Sequence, residues 1–131
     1  MNRHSPSYYR QTARTFREKR YLFVKGLVPR VVLYYLKVYY DIQFKNDRFV
    51  NDTQCPLSLS LGADPGLDAV LEWLRPEVSR LVGLELAPTY SFTRRYVKGD
   101  VLARHQDRPA CEISVTVSIQ IPKRARPQLC I

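Results

Sequence analysis

Two different periods of apolar residues divide this chain. From Leu27 to about Gln43, Val28, Val31, Val32, Tyr35, Leu36, Tyr39 and Ile42 recur in steps of one, three and four, which places them on one face of a helix. Pro29 suits its first turn. A second stripe, Leu67, Val70, Leu71, Leu74, Val78, Leu81 and Val82, predicts another helix. Asp64 is its expected N-cap, Pro65 its first residue and Gly83 its left-handed terminator. Pro76 falls inside the stripe and predicts a kink or a restart.

After Gly83 the period drops to two. Thr89 to Val97, rich in Tyr, Phe, Thr and Arg, reads as a strand, and Lys98-Gly99-Asp100 as a turn. Cys111 to Ile121 alternates with Ile113, Val115, Val117, Ile119 and Ile121 on one face and Glu112, Ser114, Thr116, Ser118 and Gln120 on the other. Pro122 ends it. Asn46 to Gly62 reads as irregular, giving way to an alternation of Leu57, Leu59 and Leu61. Helices first and strands after define an α+β fold. Tyr90 and Phe92 are expected in its core. The edge of a strand over Cys111 to Ile121 would favour association with a further strand.

Charge separates the ends from the body. Of the net charge of +9, residues 1–20 supply +5 and residues 122–131 supply +3, leaving +1 for residues 21–121. The chain therefore reads as a basic N-terminal arm (1–20), a nearly neutral body (21–121) and a basic irregular tail (122–131). In the arm, Tyr8 and Tyr9 stand beside Arg10, Arg14, Arg17, Lys19 and Arg20. Tyrosines among basic residues suit nucleic acid, since rings stack on bases and cations neutralise phosphates. The alternative is a solvated, poorly ordered terminus. Tyr34, Tyr35, Tyr39 and Tyr40 at helical spacing suit core and rim packing better than a stacking platform.

Three cysteines, Cys55, Cys111 and Cys130, show no C-x-x-C spacing, which argues against a disulfide framework and for reduced thiols in a cytoplasmic protein. The most apolar stretch, Tyr21 to Tyr40, is interrupted by Lys25, Arg30 and Lys37. That makes it a poor membrane span, and no partnership with a membrane is expected.

The chemistry concentrates at His105 and Asp107. In an extended segment, residues two apart project to the same side, so one imidazole nitrogen and one carboxylate oxygen can take adjacent positions on a divalent ion. This is two-thirds of the facial triad of non-haem iron oxygenases. Tyr96 and Gly99 precede the pair, in the pattern Tyr-x-x-Gly-x-x-x-x-x-His-x-Asp. With Pro88-Thr89-Tyr90-Ser91 and Asp107-Arg108-Pro109-Ala110-Cys111-Glu112, this stretch resembles the Fe(II)/2-oxoglutarate-dependent dioxygenases, in particular the bacterial prolyl-4-hydroxylase-like group. The specific resemblance runs from Pro88 to Ile119.

The resemblance implies a double-stranded β-helix, or jelly roll, buttressed by N-terminal helices, with residues 21–121 supplying the buttress and the first strands. It implies Fe(II) on His105 and Asp107, 2-oxoglutarate as co-substrate bonded by Tyr96, and hydroxylation of a peptide or small-molecule substrate. The family also requires a second histidine and a more distant Arg or Lys that anchors 2-oxoglutarate. No histidine follows His105, and Arg124 and Arg126 follow too soon to be that anchor. Cys111, Glu112 and Cys130 lack the spacing of replacement ligands. The site is therefore expected to be incomplete, with weak or no activity, as in the N-terminal half of such an enzyme. Arg94, Arg95 and Arg104 form either a solvated face or a basic rim to the site, and Arg108 either orients Asp107 or pairs with Glu112.

Overall fold

The computed structural model describes residues 4–121, so the tail expected at 122–131 lies outside the described residues. The order is α1 (Pro6–Lys19), α2 (Arg30–Lys45), β1 (Val50–Asn51), β2 (Leu59–Gly62), α3 (Pro65–Val82) and β3 (Phe92–Arg95). The three strands form one antiparallel sheet in the order β1-β2-β3. The fold is α+β.

α3 follows the pattern of its sequence closely. The Asp64 side chain accepts from the Leu67 N–H, Pro65 opens the helix, and Gly83 closes it at φ +70°. These satisfy backbone groups that a bare helix end leaves unpaired. The helix runs through Pro76 without a break. Its inward face gives Leu74, Val78, Leu81 and Val82, and Leu74, Val78 and Val82 join Val28 in the central apolar cluster.

The N-terminal segment departs from the expected arm. Residues 6–19 form a full helix, with Ser5 accepting at its N-terminus from the Tyr8 N–H. Arg17 and Lys19 lie in its last turn, where cations complement the helix dipole. α1 packs along α3: Ala13 is buried and Phe16 contacts the central cluster. Gly83 makes this approach feasible, because a Cβ there would stand 2.8 Å from the Ala13 Cβ. Tyr9 donates to the buried Glu77 carboxylate at 2.7 Å, and Arg80 donates to its other oxygen at 2.7 Å. The basic composition of residues 1–20 concealed three inward anchors, Tyr9, Ala13 and Phe16, at helical spacing.

α2 turns inward a face rotated from the one its spacing suggests: Val32 and Leu36 of the expected face pack inward, while Val31, Tyr35 and Ile42 do not. Leu36 and Tyr40 are buried, whereas Val31, Tyr34, Tyr35, Val38 and Ile42 form an exposed apolar stripe. Tyr39 and Tyr40 set the rotation: their hydroxyls donate to the two oxygens of Asp64, at 2.9 and 3.5 Å. The α3 cap is thus also the tie to α2. Burial pushes the Tyr40 phenol above its ordinary value, and the nearby Asp64 carboxylate acts in the same direction. Polar anchoring at Asp64 outweighs the number of apolar side chains on the opposite face, a choice that hydropathy alone does not encode.

The alternation around Leu59 and Leu61 does form a strand, β2, paired with β1 on one side and β3 on the other. β3 covers the centre of the predicted Thr89–Val97 strand and is an edge of the sheet. Phe92 is exposed and Tyr90 half-buried, so neither belongs to the core as expected. Residues 111–121 are not a strand: the segment is irregular, with bends at 112–113 and 119, and pairs with no other strand among the described residues. Ile113 and Val117 nevertheless pack against the helical core. A period of two specifies which side faces inward, and hydrogen-bonded pairing needs a neighbouring strand as well. The edge expected over Cys111 to Ile121 therefore does not form. The sheet edges belong to β1 and to β3, and β3 carries Arg94 and Arg95.

Candidate functional site

β3 ends at Arg95, and a turn at Lys98-Gly99 follows, closed by the Asp100 N–H donating to the Val97 carbonyl at 3.2 Å. Gly99 adopts φ +92°, a region that side-chain-bearing residues avoid. This turn carries the chain into the exposed segment with His105 and Asp107.

The structure brings those two side chains together. His105 Nε2 lies 3.7 Å from Asp107 Oδ1, with the side chains 34% and 39% exposed. Each is oriented by a further partner. His105 Nδ1 is 2.9 Å from the Ala103 carbonyl, and since a carbonyl oxygen only accepts, Nδ1 carries the proton of this bond. In the unprotonated ring Nε2 then presents its lone pair toward Asp107. On the other side, the Ser114 hydroxyl donates to Asp107 Oδ2 at 2.5 Å, leaving Oδ1 to face the imidazole. Two lone-pair donors oriented in this way suit a shared cation, and partners behind the ligands are a regular feature of metal sites. The spacing i, i+2 pointed to the pair but gave no hint of Ala103 or Ser114.

The other expected site residues lie elsewhere. The Tyr96 hydroxyl accepts from Arg94 at 3.1 Å, and the Arg94 guanidinium also lies over the Tyr96 ring. Tyr96 thus belongs to the sheet edge, away from any contact with His105 or Asp107 among the described residues. Arg94 is neither a solvated face nor a rim. It is buried in an ion pair with Asp52, whose carboxylate also accepts from the Gln54 and Cys55 N–H groups. Burial alone would raise the Asp52 pKa, but those bonds outweigh it and hold the carboxyl at about 2. Arg95 lies 3.9 Å over the Phe44 ring.

Arg108 takes neither expected role, stacking instead 4.7 Å over the Tyr90 ring. Burial raises the Tyr90 phenol, and the neighbouring Cys111 adds to the shift. Cys111 approaches the Thr89 hydroxyl at 3.6 Å. Cys111 and Glu112 do not gather with His105 and Asp107, and no group of three His, Cys, Asp or Glu side chains suited to a metal occurs among the described residues. Cys130 lies outside them. The pair fits a metal as two ligands, and the remaining coordination positions have no donors from the described part of this chain.

Among the described residues no helix is long and apolar enough to cross a membrane. Compared with models of known families, with curated proteins and with solved structures, the chain finds no match.

Proposed function

We propose that this chain carries half of the iron site of a non-haem Fe(II), 2-oxoglutarate-dependent oxygenase of the prolyl-4-hydroxylase-like type. The observation that carries the reading is the pair itself: His105 Nε2 faces Asp107 Oδ1 at 3.7 Å, with each ligand held from behind. His105 and Asp107 would hold the metal. Bound iron supplies the oxidising chemistry that couples decarboxylation of 2-oxoglutarate to hydroxylation of a second substrate, a peptide side chain or a small molecule.

This chain's own residues do simpler things. Ala103 fixes the imidazole proton on Nδ1, and Ser114 holds the carboxylate so that Oδ1 points inward. The partial exposure of both side chains leaves one side open to solvent and to further ligands. Tyr96, on Arg94 in this conformation, would have to leave that partner to bond 2-oxoglutarate. The finer architecture, a jelly roll on a helical buttress, is part of the same proposal. It draws support from the exposed apolar stripe of α2, a surface that a larger sheet would cover.

The test is anaerobic titration of the purified 131-residue chain with Fe(II), and with Co(II) as a spectroscopic substitute. Weak binding that is abolished by His105→Ala and by Asp107→Ala is expected, with no turnover. Metal binding indifferent to both substitutions removes the site. Succinate release coupled to oxygen uptake by this chain alone would show the site complete and overturn the half-site reading.

A further inference from the structure

We infer that the groove between α1 and α3 is a binding site for single-stranded nucleic acid. It is an open groove of about 680 Å³, lined by Tyr9, Arg10, Arg14, Arg17 and Arg80, with Ala13 and Gly83 on its floor and Glu18 as its one acid. The size is ordinary for a ligand cleft; the lining is not. Arg10, Arg14 and Arg17 are four and three residues apart, so they stand in one row on the exposed face of α1. The row extends for about 10 Å, long enough to meet successive phosphates of one strand. Arg80 brings a guanidinium from the opposite wall.

These arginines are not consumed by the fold to the same degree. Arg80 is committed to Glu77 and to the Tyr9 ring, and Arg14 pairs with Glu18 at 2.8 Å. Arg17 spends only Nε, on the Ala13 carbonyl at 3.3 Å, and Arg10 makes no ion pair among the described residues. A row of guanidiniums held on a rigid helix, with few acids to neutralise it, recognises phosphate oxygens through paired N–H donors.

Aromatic rings at the head of the row favour a nucleic-acid strand over other polyanions. The His4 ring lies 4.0 Å from that of Tyr8, and Tyr8 meets Tyr9 edge-on at 5.8 Å. Rings at one end of a basic track provide surfaces on which unpaired bases stack. An anionic membrane is a poorer fit. Insertion into its interface needs an outward apolar face, and none of the exposed large apolar side chains among the described residues lies on α1.

Fluorescence anisotropy with a labelled 15-nucleotide dT strand and the full chain tests the assignment across salt concentrations. Arg10→Ala with Arg17→Ala should weaken binding about tenfold or more at low salt and lower the slope of log K against log salt by about 1.4. Tyr8→Leu should weaken it about fivefold or more. Glu18→Gln, which removes the acid of the groove, should tighten it about twofold or more, a gain that misfolding cannot mimic. Thermal unfolding of each variant checks that the helices remain folded. Four results would each overturn the proposal: no binding of the strand at 50 mM salt, binding unchanged in the arginine variant, phosphatidylserine vesicles bound more tightly than dT, or heparin bound equally with no effect of Tyr8→Leu. Complete competition by millimolar inorganic phosphate would also overturn it, by reducing the site to a single-phosphate pocket.

Discussion

Arg94 of β3 donates through Nε to Asp52 Oδ2 at 2.8 Å, and both side chains are almost withdrawn from water, at 9% and 2% exposure. Asp52 stands at the head of the loop between β1 and β2 and also caps the backbone of Gln54 and Cys55. The pair therefore fastens the edge strand to a loop that has no other charged anchor to it among the described residues. A buried pair of this kind contributes little net stability over an apolar substitute, but losing one partner strands the other.

Arg94→Ala is accordingly expected to destabilise the chain by about 3–5 kcal/mol, measured by urea unfolding. The acid limb follows from the same contact. The Asp52 pKa is lowered from 3.8 to about 2 in the folded chain, so its contribution is fully present above pH 4 and is lost as pH falls through 2. That contribution is about 2 kcal/mol. Unfolding free energies of the wild type and Asp52→Asn between pH 5 and pH 2 should converge as the acid end is approached. Parallel curves would show that Asp52 does not set the acid limb.

Gly83 serves α1 in two ways, as left-handed terminator of α3 and as floor for Ala13. Gly83→Ala should cost about 1 kcal/mol from the backbone conformation and more from overpacking, which typically adds about 1–3 kcal/mol. Ala13→Gly in the same chain should recover the packing part and not the conformational part. The coupling in a double-mutant cycle checks this, since the two substitutions would simply add if Ala13 and Gly83 did not touch.

Much of the scaffold was legible in the residues. Asp64, Pro65 and Gly83 placed both ends of α3 because capping is local chemistry, decided within one turn of chain. α1 was hidden, since a helix whose inward residues are Tyr9, Ala13 and Phe16 has little apolar pattern, and its fixing contact to Glu77 is 68 residues away. The rotation of α2 is hidden for a similar reason: Asp64 holds the phenols of Tyr39 and Tyr40 from outside the helix. At the candidate site, the His-x-Asp spacing revealed the pair, but its supports Ala103 and Ser114 carry no signature of their own. Arg94 and Tyr96 bond to each other, as residues two apart on one side of an extended segment can.

Glu77 is 4% exposed and takes one hydrogen bond from Tyr9 and one from Arg80. Tyr9→Phe removes the neutral donor while keeping the ring, leaving a carboxylate oxygen buried with one partner fewer. A cost of about 1–3 kcal/mol is expected. Hydrogen exchange should show the loss concentrated in α1, because the contact joins α1 to α3. Uniform loss of protection across the chain would mean that α1 does not unfold on its own.

Ser114 offers the sharpest test of how the metal pair is built. Its hydroxyl occupies Asp107 Oδ2 and leaves Oδ1 facing His105, yet Ser114 itself presents nothing toward the space between them. Ser114→Ala should leave thermal stability nearly unchanged, because Ser114 is exposed, while weakening Co(II) affinity about 10–100-fold, the usual effect of removing a partner that orients a ligand. Ser114→Thr retains the hydroxyl and should keep most of the affinity. An affinity equal to that of the unaltered chain in Ser114→Ala would mean that Asp107 reaches the metal position without help, and that the hydroxyl contact is incidental to the site.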